Sequence, residues 1–195
     1  MKSLLTLLFT LTATLAVAAV SPGETAPDFH LTDTDGQKHH LQSYLDDGKI
    51  VVLEWFNPDC PYVKKHHEAN HTMKDLAAQY AGHDVVWMAI NSGAEGKQGA
   101  GLERNRKAVE EYAIAYPVLL DMNGKVGKRY GATNTPHMFV IGTDGKIAYA
   151  GAIDSDNDAR ELGETNYVAE ALAALTSGAK VEKTETKAYG CSVKY

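Results

Sequence analysis

The chain has 195 residues, of which 44% are hydrophobic and 23% are charged, and it carries a net charge of −6 at pH 7. These values are typical of a globular protein and exclude a disordered or low-complexity chain. Because the charge is mildly negative and the basic residues are dispersed, we expect no binding to nucleic acid or to anionic lipid surfaces.

The first 18 residues have the pattern of a secretory signal peptide. Lys2 provides a basic start, residues 4–17 form a nearly unbroken apolar run, and small residues end it at Ala16-Val17-Ala18. The run is too short for a membrane anchor. We therefore expect a signal peptide at residues 1–18, export to the periplasm or the extracellular space, and no membrane anchor.

The next segments predict a hairpin, a central strand and a long helix. Residues 21–45 have a strand–turn–strand pattern around Asp33-Thr34-Asp35-Gly36. The run 50–56 is apolar and β-branched without alternation, which is typical of a strand buried on both faces. Residues 57–61 end this strand, and helical spacing then continues to Gly82.

Strands and helices alternate through the rest of the chain. We expect strands at 84–91, 117–121, 138–141 and 146–150, a glycine-rich loop at 92–101, and helices at 102–113, 125–130 and 167–175. This order predicts one α/β domain at residues 19–178, with a central mixed β-sheet flanked by helices and an N-terminal β-hairpin extension. Residues 179–195 are polar and predict a C-terminal tail with little to pack.

Cys60 is one of only two cysteines in the chain, and it lies where a strand gives way to a helix. The N-terminal end of a helix stabilises a thiolate, which is the form that attacks disulfides and peroxides. We therefore expect a reactive, accessible thiol. The structural alternative is a small buried side chain or one half of a static disulfide.

Thr135-Pro136 precedes the strand at 138–141. A proline that opens a strand marks either an edge position or a cis peptide bond. If the bond is cis, we expect the backbone of Thr135 to face the sulfur of Cys60 and to pair with an extended substrate segment.

Cys191 lies in the polar tail and has three possible roles. It can attack an oxidised Cys60 and close a disulfide, which makes it a resolving cysteine. It can also form a permanent bridge that pins the tail, or it can pair with another molecule. We favour the reversible pairing with Cys60.

Histidines crowd the helix that follows Cys60. His67 and His71 are four residues apart and therefore share a helix face, and with Cys60 they form a candidate copper or zinc site. We expect a solvated histidine face here. A metal-binding or non-catalytic binding module that uses Cys60, His67 and His71 is the alternative function.

These motifs resemble the redoxin branch of the thioredoxin superfamily, in particular peroxiredoxin-like proteins related to the alkyl hydroperoxide reductase and thiol-specific antioxidant group. The segments that carry the resemblance are Ala26–Phe29, Glu54–Lys64, Tyr130–Ala132, Thr135–Ile141 and Tyr189–Tyr195. The resemblance implies a thioredoxin-like fold, Cys60 as nucleophile, Pro136 as a cis-proline and no organic cofactor. The implied partners are a disulfide or peroxide substrate and a thiol reductant, either a thioredoxin-like protein or a small thiol.

The chain departs from this family pattern in three respects. Val63 stands where dithiol thioredoxins have a second cysteine, so no local disulfide forms. Asn57 stands where peroxiredoxins have threonine or serine, and neither Arg104 nor Arg129 is an obvious counterpart of their site arginine. We therefore expect a thiol oxidoreductase whose substrate is either a disulfide or a peroxide.

Overall fold

The computed structural model describes residues 19–195, so the predicted signal peptide lies outside the described residues. The strands are β1 (His30–Asp33), β2 (Lys38–His40), β3 (Ile50–Trp55), β4 (Val85–Asn91), β5 (Val118–Leu120), β6 (Asn134–Thr135), β7 (His137–Ile141), β8 (Ile147–Gly151) and β9 (Cys191–Ser192). The helices are α1 (Leu41–Asp46), α2 (Pro61–Lys64), α3 (Thr72–Tyr80), α4 (Leu102–Glu111), α5 (Lys125–Tyr130) and α6 (Tyr167–Thr176), with a π-helical turn at Lys65–Ala69. Among residues 19–195, no helix has the length and apolar character needed to span a bilayer.

A seven-stranded mixed sheet organises the chain, with the strand order β2-β1-β5-β4-β3-β7-β8. β3, β4 and β5 run parallel to one another, whereas β7, β8 and the β1–β2 hairpin add antiparallel pairs at the two sides. The predicted α/β class, mixed sheet and N-terminal hairpin are therefore confirmed. β6 and β9 form a separate antiparallel ladder.

β3 is buried on both faces, as its unbroken apolar run predicts. Val51, Leu53 and Trp55 pack into the core on one face of the sheet, and Ile50 and Val52 pack into the core on the other. Burying a large apolar side chain contributes about 1.5–3 kcal/mol, so this strand is a rigid support. The loop that carries Cys60 begins directly at its end.

The predicted single helix from Cys60 to Gly82 is wrong. α2 continues into the π-helical turn at Lys65–Ala69. His71 then adopts a left-handed backbone conformation with φ = 56°, and α3 begins at the next residue. The physical reason is that Lys65, His66 and His67 are consecutive and all buried. Their polar atoms need partners in different directions, which one face of a regular helix does not provide.

The prediction of a tail with little to pack is also wrong. Val181 is buried, and the backbone of Ala150 in β8 exchanges hydrogen bonds with Thr184 and Thr186. Farther along, β9 pairs with β6, and the hydroxyl of Tyr195 donates to the carbonyl oxygen of Ala132 at 2.8 Å. The tail is therefore packed against the rest of the domain and hydrogen-bonded to it.

Candidate active site

Cys60 lies at the end of a tightly held loop between β3 and α2. Its backbone N–H donates to the carbonyl oxygen of Asn57 at 3.1 Å, and the Asn57 side chain accepts from the backbone N–H of Asp59 at 2.9 Å. The Asn57 amide also donates to the carbonyl oxygen of Gln98 at 3.1 Å. Gly99 makes this approach possible, because a Cβ atom there would lie 2.0 Å from Asn57 Oδ1.

Two side chains from the α4 region brace the same loop. Arg104 pairs with Asp59 through Nε and Nη2, at 2.9 and 2.8 Å from Oδ1. The hydroxyl of Tyr112 donates to the carbonyl oxygen of Pro58 at 2.6 Å. The sequence predicts neither role, because residues more than forty positions from Cys60 leave no local pattern.

The Cys60 sulfur faces the Thr135-Pro136 segment. The peptide bond between Thr135 and Pro136 is cis, and the thiol of Cys60 donates to the carbonyl oxygen of Thr135 at 3.0 Å. Cys60 is only 1% exposed and packs with Phe56 and Val63. The structure thus brings Cys60, Thr135 and Pro136 together, but the expected accessible sulfur is covered.

The cover over Cys60 is the C-terminal tail. β9 pairs Cys191 with Thr135, and the side chain of Asn134 donates to the carbonyl oxygen of Gly190 at 2.9 Å. Both cysteines are free thiols, and Cys191 packs against the cluster that contains Cys60. Burial and a hydrogen bond with the Cys60 side chain raise the pKa of the Cys191 thiol to about 12, so Cys191 is held as a thiol at neutral pH.

A buried polar cluster anchors the tail two residues before Cys191. The hydroxyl of Tyr189 donates to the carboxylate of Asp154 and lies 2.9 Å from His66 Nε2. Lys65 Nζ lies 3.5 Å from Asp154 Oδ1 and donates to the carbonyl oxygen of Asp156 at 2.7 Å. Burial lowers the pKa of His66 to about 4, so the imidazole is neutral and donates its Nε2–H to Tyr189.

A second buried pair lies on the other side of the π-helical turn. His67 Nε2 is 2.6 Å from Glu54 Oε1, and both side chains are fully buried. The hydroxyl of Tyr116 donates to Glu54 Oε2 at 3.0 Å. His67 is therefore committed to Glu54, while the His71 ring donates to the carbonyl oxygen of His67 at 3.1 Å.

These contacts bear on the alternative metal site. Since His67 faces Glu54 and His71 faces the backbone, the described residues do not bring Cys60, His67 and His71 together as ligands of one ion. The expected solvated histidine face is also wrong for His66 and His67, which are buried.

Comparisons with known proteins identify the family of this chain. The family model described as Redoxin matches residues 21–168. Thiol-disulfide oxidoreductase ResA from Geobacillus thermodenitrificans (strain NG80-2) is 31% identical over 129 residues, which cover 66% of this chain and 68% of that protein.

Solved structures extend the likeness to the fold. An uncharacterised conserved protein from Geobacillus kaustophilus superposes with a TM-score of 0.81 at 30% identity, over 89% of this chain and 92% of that one. A putative thiol:disulfide interchange protein DsbE from Chlorobium tepidum superposes with a TM-score of 0.61 at 21% identity, over 82% of this chain and 98% of that one. The latter supports the fold alone, and the predicted thioredoxin-like fold is confirmed. The matched family model covers most of the described chain, and the chain belongs to the Redoxin family.

Proposed function

We propose that this protein is an exported thiol–disulfide oxidoreductase in which Cys60 attacks the substrate and Cys191 resolves the intermediate. The single observation that carries the proposal is the placement of Cys191 beside Cys60, on a strand that pairs with Thr135 next to the cis-proline. The chain has no second cysteine close to Cys60 in the sequence, but the thiol of Cys191 lies beside Cys60 in the fold. The name of the ResA relative supports the same class of reaction.

The chemistry balances in two exchange steps. The Cys60 thiolate attacks one sulfur of a substrate disulfide, forms a mixed disulfide and releases the other sulfur as a thiol after it takes up a proton. Cys191 then loses its proton and attacks the Cys60 sulfur as a thiolate, which closes the Cys60–Cys191 disulfide, and the departing substrate sulfur takes up a proton. An external thiol reductant, either a thioredoxin-like protein or a small thiol, returns both cysteines to thiols.

Two features favour a disulfide over a peroxide as the substrate. Asn57 is committed to the loop backbone and offers no hydroxyl to a peroxide. Each arginine of the chain has a partner other than Cys60: Arg104 with Asp59, Arg106 with the carbonyl oxygen of Thr34, Arg129 with that of Asp28, and Arg160 with Asp158. The described hydrogen bonds therefore assign none of the four arginines to the Cys60 sulfur.

The tail also defines the substrate groove in this proposal. β9 occupies the edge of β6 where an extended polypeptide would add as a strand. Because Cys60 is 1% exposed beneath it, β9 has to leave before a protein disulfide reaches the sulfur. Pro136 and Thr135 then shape the groove, and β9 returns to deliver Cys191.

We further propose the domain limits and the destination expected from the sequence. Residues 1–18 would be the signal peptide, residues 19–178 the redoxin domain, and residues 179–195 the tail that carries Cys191. The apolar N-terminal run supports export to the periplasm or the extracellular space. N-terminal sequencing of protein recovered from the periplasm checks the cleavage, and a mature chain that starts with Met1 would reject it.

The experiment that tests the mechanism uses a chromogenic aromatic disulfide such as dithiobisnitrobenzoate. We expect the wild-type chain to release a second equivalent of coloured thiolate as it closes the internal disulfide, whereas Cys191→Ser stops at a stable mixed disulfide on Cys60. Cys60→Ser keeps Cys191 and is the matched control, which we expect to react slowly. A wild-type chain that stops at the mixed disulfide would refute Cys191 as the resolving residue. Faster oxidation by hydrogen peroxide than by disulfide would refute the choice of substrate.

A further inference from the structure

Three side chains with metal-ligating atoms meet at the N-terminal β-hairpin. Asp28 lies two residues before His30, the first residue of β1, and His40 is the last residue of β2. The antiparallel pairing places His30 directly opposite His40. Directly opposed residues share a face of a hairpin, so both imidazoles lie on the same side, and Asp28 contacts His40 there.

The distances between the three side chains suit a common ion. His40 Nε2 is 2.8 Å from Asp28 Oδ2, and the rings of His30 and His40 stack with centroids 3.8 Å apart. One ligand atom from each residue lies within 4.8 Å of the other two. Two ligands with bonds of about 2.0–2.2 Å in a tetrahedral zinc site lie roughly 3.4 Å apart. Because the two rings are stacked, a shared ion requires the exposed His30 ring to rotate out of the stack and turn one nitrogen toward Asp28 and His40.

Neighbouring groups already orient two of the ligands. Ser43 Oγ lies 3.2 Å from His40 Nδ1, which turns Nε2 toward Asp28. The backbone N–H of Gln42 donates to Asp28 Oδ1 at 3.2 Å and leaves Oδ2 facing the histidine. Such outer partners fix ring orientation and raise metal affinity.

We propose that Asp28, His30 and His40 bind one transition-metal ion of the zinc or copper type. Two imidazoles and one carboxylate suit these ions, whereas Mg²⁺ and Ca²⁺ prefer oxygen ligands throughout. Three protein ligands leave a coordination position for water or for a small ligand. Because β5 and β4 lie between β1 and β3 in the sheet, this site is distinct from the thiols and does not depend on the proposed redox function.

Nearby cationic side chains are expected to weaken metal binding at this site. The guanidinium of Arg129 donates to the carbonyl oxygen of Asp28, and Lys128 lines the adjoining cleft of about 930 Å³. Their repulsion of a divalent ion opposes binding. We therefore expect weaker binding than at a structural zinc site.

The test titrates Zn²⁺ and, separately, Cu²⁺ into the untagged chain by isothermal calorimetry. The chain carries Cys60→Ser and Cys191→Ser so that the thiols supply no ligands. We expect one ion per chain, an affinity at least tenfold lower in His30→Ala, and no binding in the His30→Ala/His40→Ala double variant. The ion should raise the Tm of the parent and leave that of the double variant unchanged.

His83→Ala removes an exposed histidine elsewhere and is the matched control, which we expect to bind like the parent. If circular dichroism shows that the double variant is unfolded, the single variants Asp28→Asn and His30→Ala replace it in the same titration, because each changes only one side chain. Absence of binding of both ions to the parent, or unchanged binding in the hairpin variants, would overturn the proposal.

Discussion

His137 illustrates how burial sets the chemistry of single residues near the thiols. It directly follows Pro136, its ring packs on Phe139 with centroids 4.6 Å apart, and its Nδ1 accepts from the backbone N–H of Thr133 at 3.4 Å. Burial lowers the pKa of His137 from 6.5 to about 4. His137 is therefore a neutral packing residue in the folded protein at neutral pH.

This pKa shift predicts a loss of stability in acid. Between pH 6.5 and pH 4 the unfolded chain binds a proton at His137 and the folded chain does not, so the free energy of unfolding falls as the pH falls. His137 accounts for about 2 kcal/mol of the loss between pH 7 and pH 5, at about 1.4 kcal/mol per pKa unit. We expect His137→Phe, which keeps a ring, to lose that much less stability over this range, as measured by urea unfolding at both pH values.

The exposed His83→Phe variant is the control for a generic histidine effect and should retain the wild-type pH dependence. His66 is unchanged in both variants, so its own acid sensitivity cancels in the comparison. The same loss of stability in His137→Phe as in the wild type would contradict the assignment.

At the scale of elements, access to Cys60 depends on the short ladder between β6 and β9. Gly190 directly precedes β9 and packs closely against β6, because its φ is 111° and a Cβ atom there would lie 2.2 Å from the carbonyl oxygen of Thr135. That oxygen also accepts the Cys60 thiol hydrogen bond. A side chain at position 190 therefore cannot enter without lifting β9.

We predict that Gly190→Ala exposes Cys60. Backbone strain of this kind costs about 1–3 kcal/mol, and 1.4 kcal/mol corresponds to a tenfold change in a population. We therefore expect Cys60 to react with iodoacetamide about tenfold faster or more, as measured by mass mapping of the labelled peptide. Gly178→Ala is the matched control, since Gly178 also has a positive φ of 74° but no atom within 4 Å of the added Cβ. Equal labelling rates in the wild type and in both variants would show that β9 does not limit access.

At the scale of the whole molecule, the two cysteines lie where the loop after β3 meets the C-terminal tail. A Cys60–Cys191 disulfide would close a loop of roughly 130 residues, and loop-closure entropy for that length stabilises the folded state by about 5 kcal/mol before any strain in the bond. Oxidation would then couple the redox state of the site to the stability of the entire chain.

We expect oxidised protein to unfold at a higher urea concentration than the same protein under reductant. The shift should approach about 5 kcal/mol in the free energy of unfolding and should vanish in Cys191→Ser. An unchanged or lower unfolding midpoint after oxidation would mean that the bond strains the fold.

The local elements of this protein could be predicted from its sequence because their causes are local. The apolar run of β3, the turn residues between β7 and β8, and Gly131 at the end of α5 specify their own structures. The junction that places Cys60 at the start of a helix and the proline beside Thr135 are equally local. These patterns are enough to predict the α/β class, the redoxin resemblance and the position of a reactive cysteine.

Only the tertiary structure decided what surrounds Cys60. The tail is polar and has no periodic pattern, yet Tyr189 finds buried partners in His66 and Asp154, and β9 then brings Cys191 to Cys60. The break at His71 likewise follows from burying three polar residues in a row. The physical reason is that hydrogen-bonding and charged groups choose partners by proximity in the folded chain, and proximity across more than a hundred residues is set by packing.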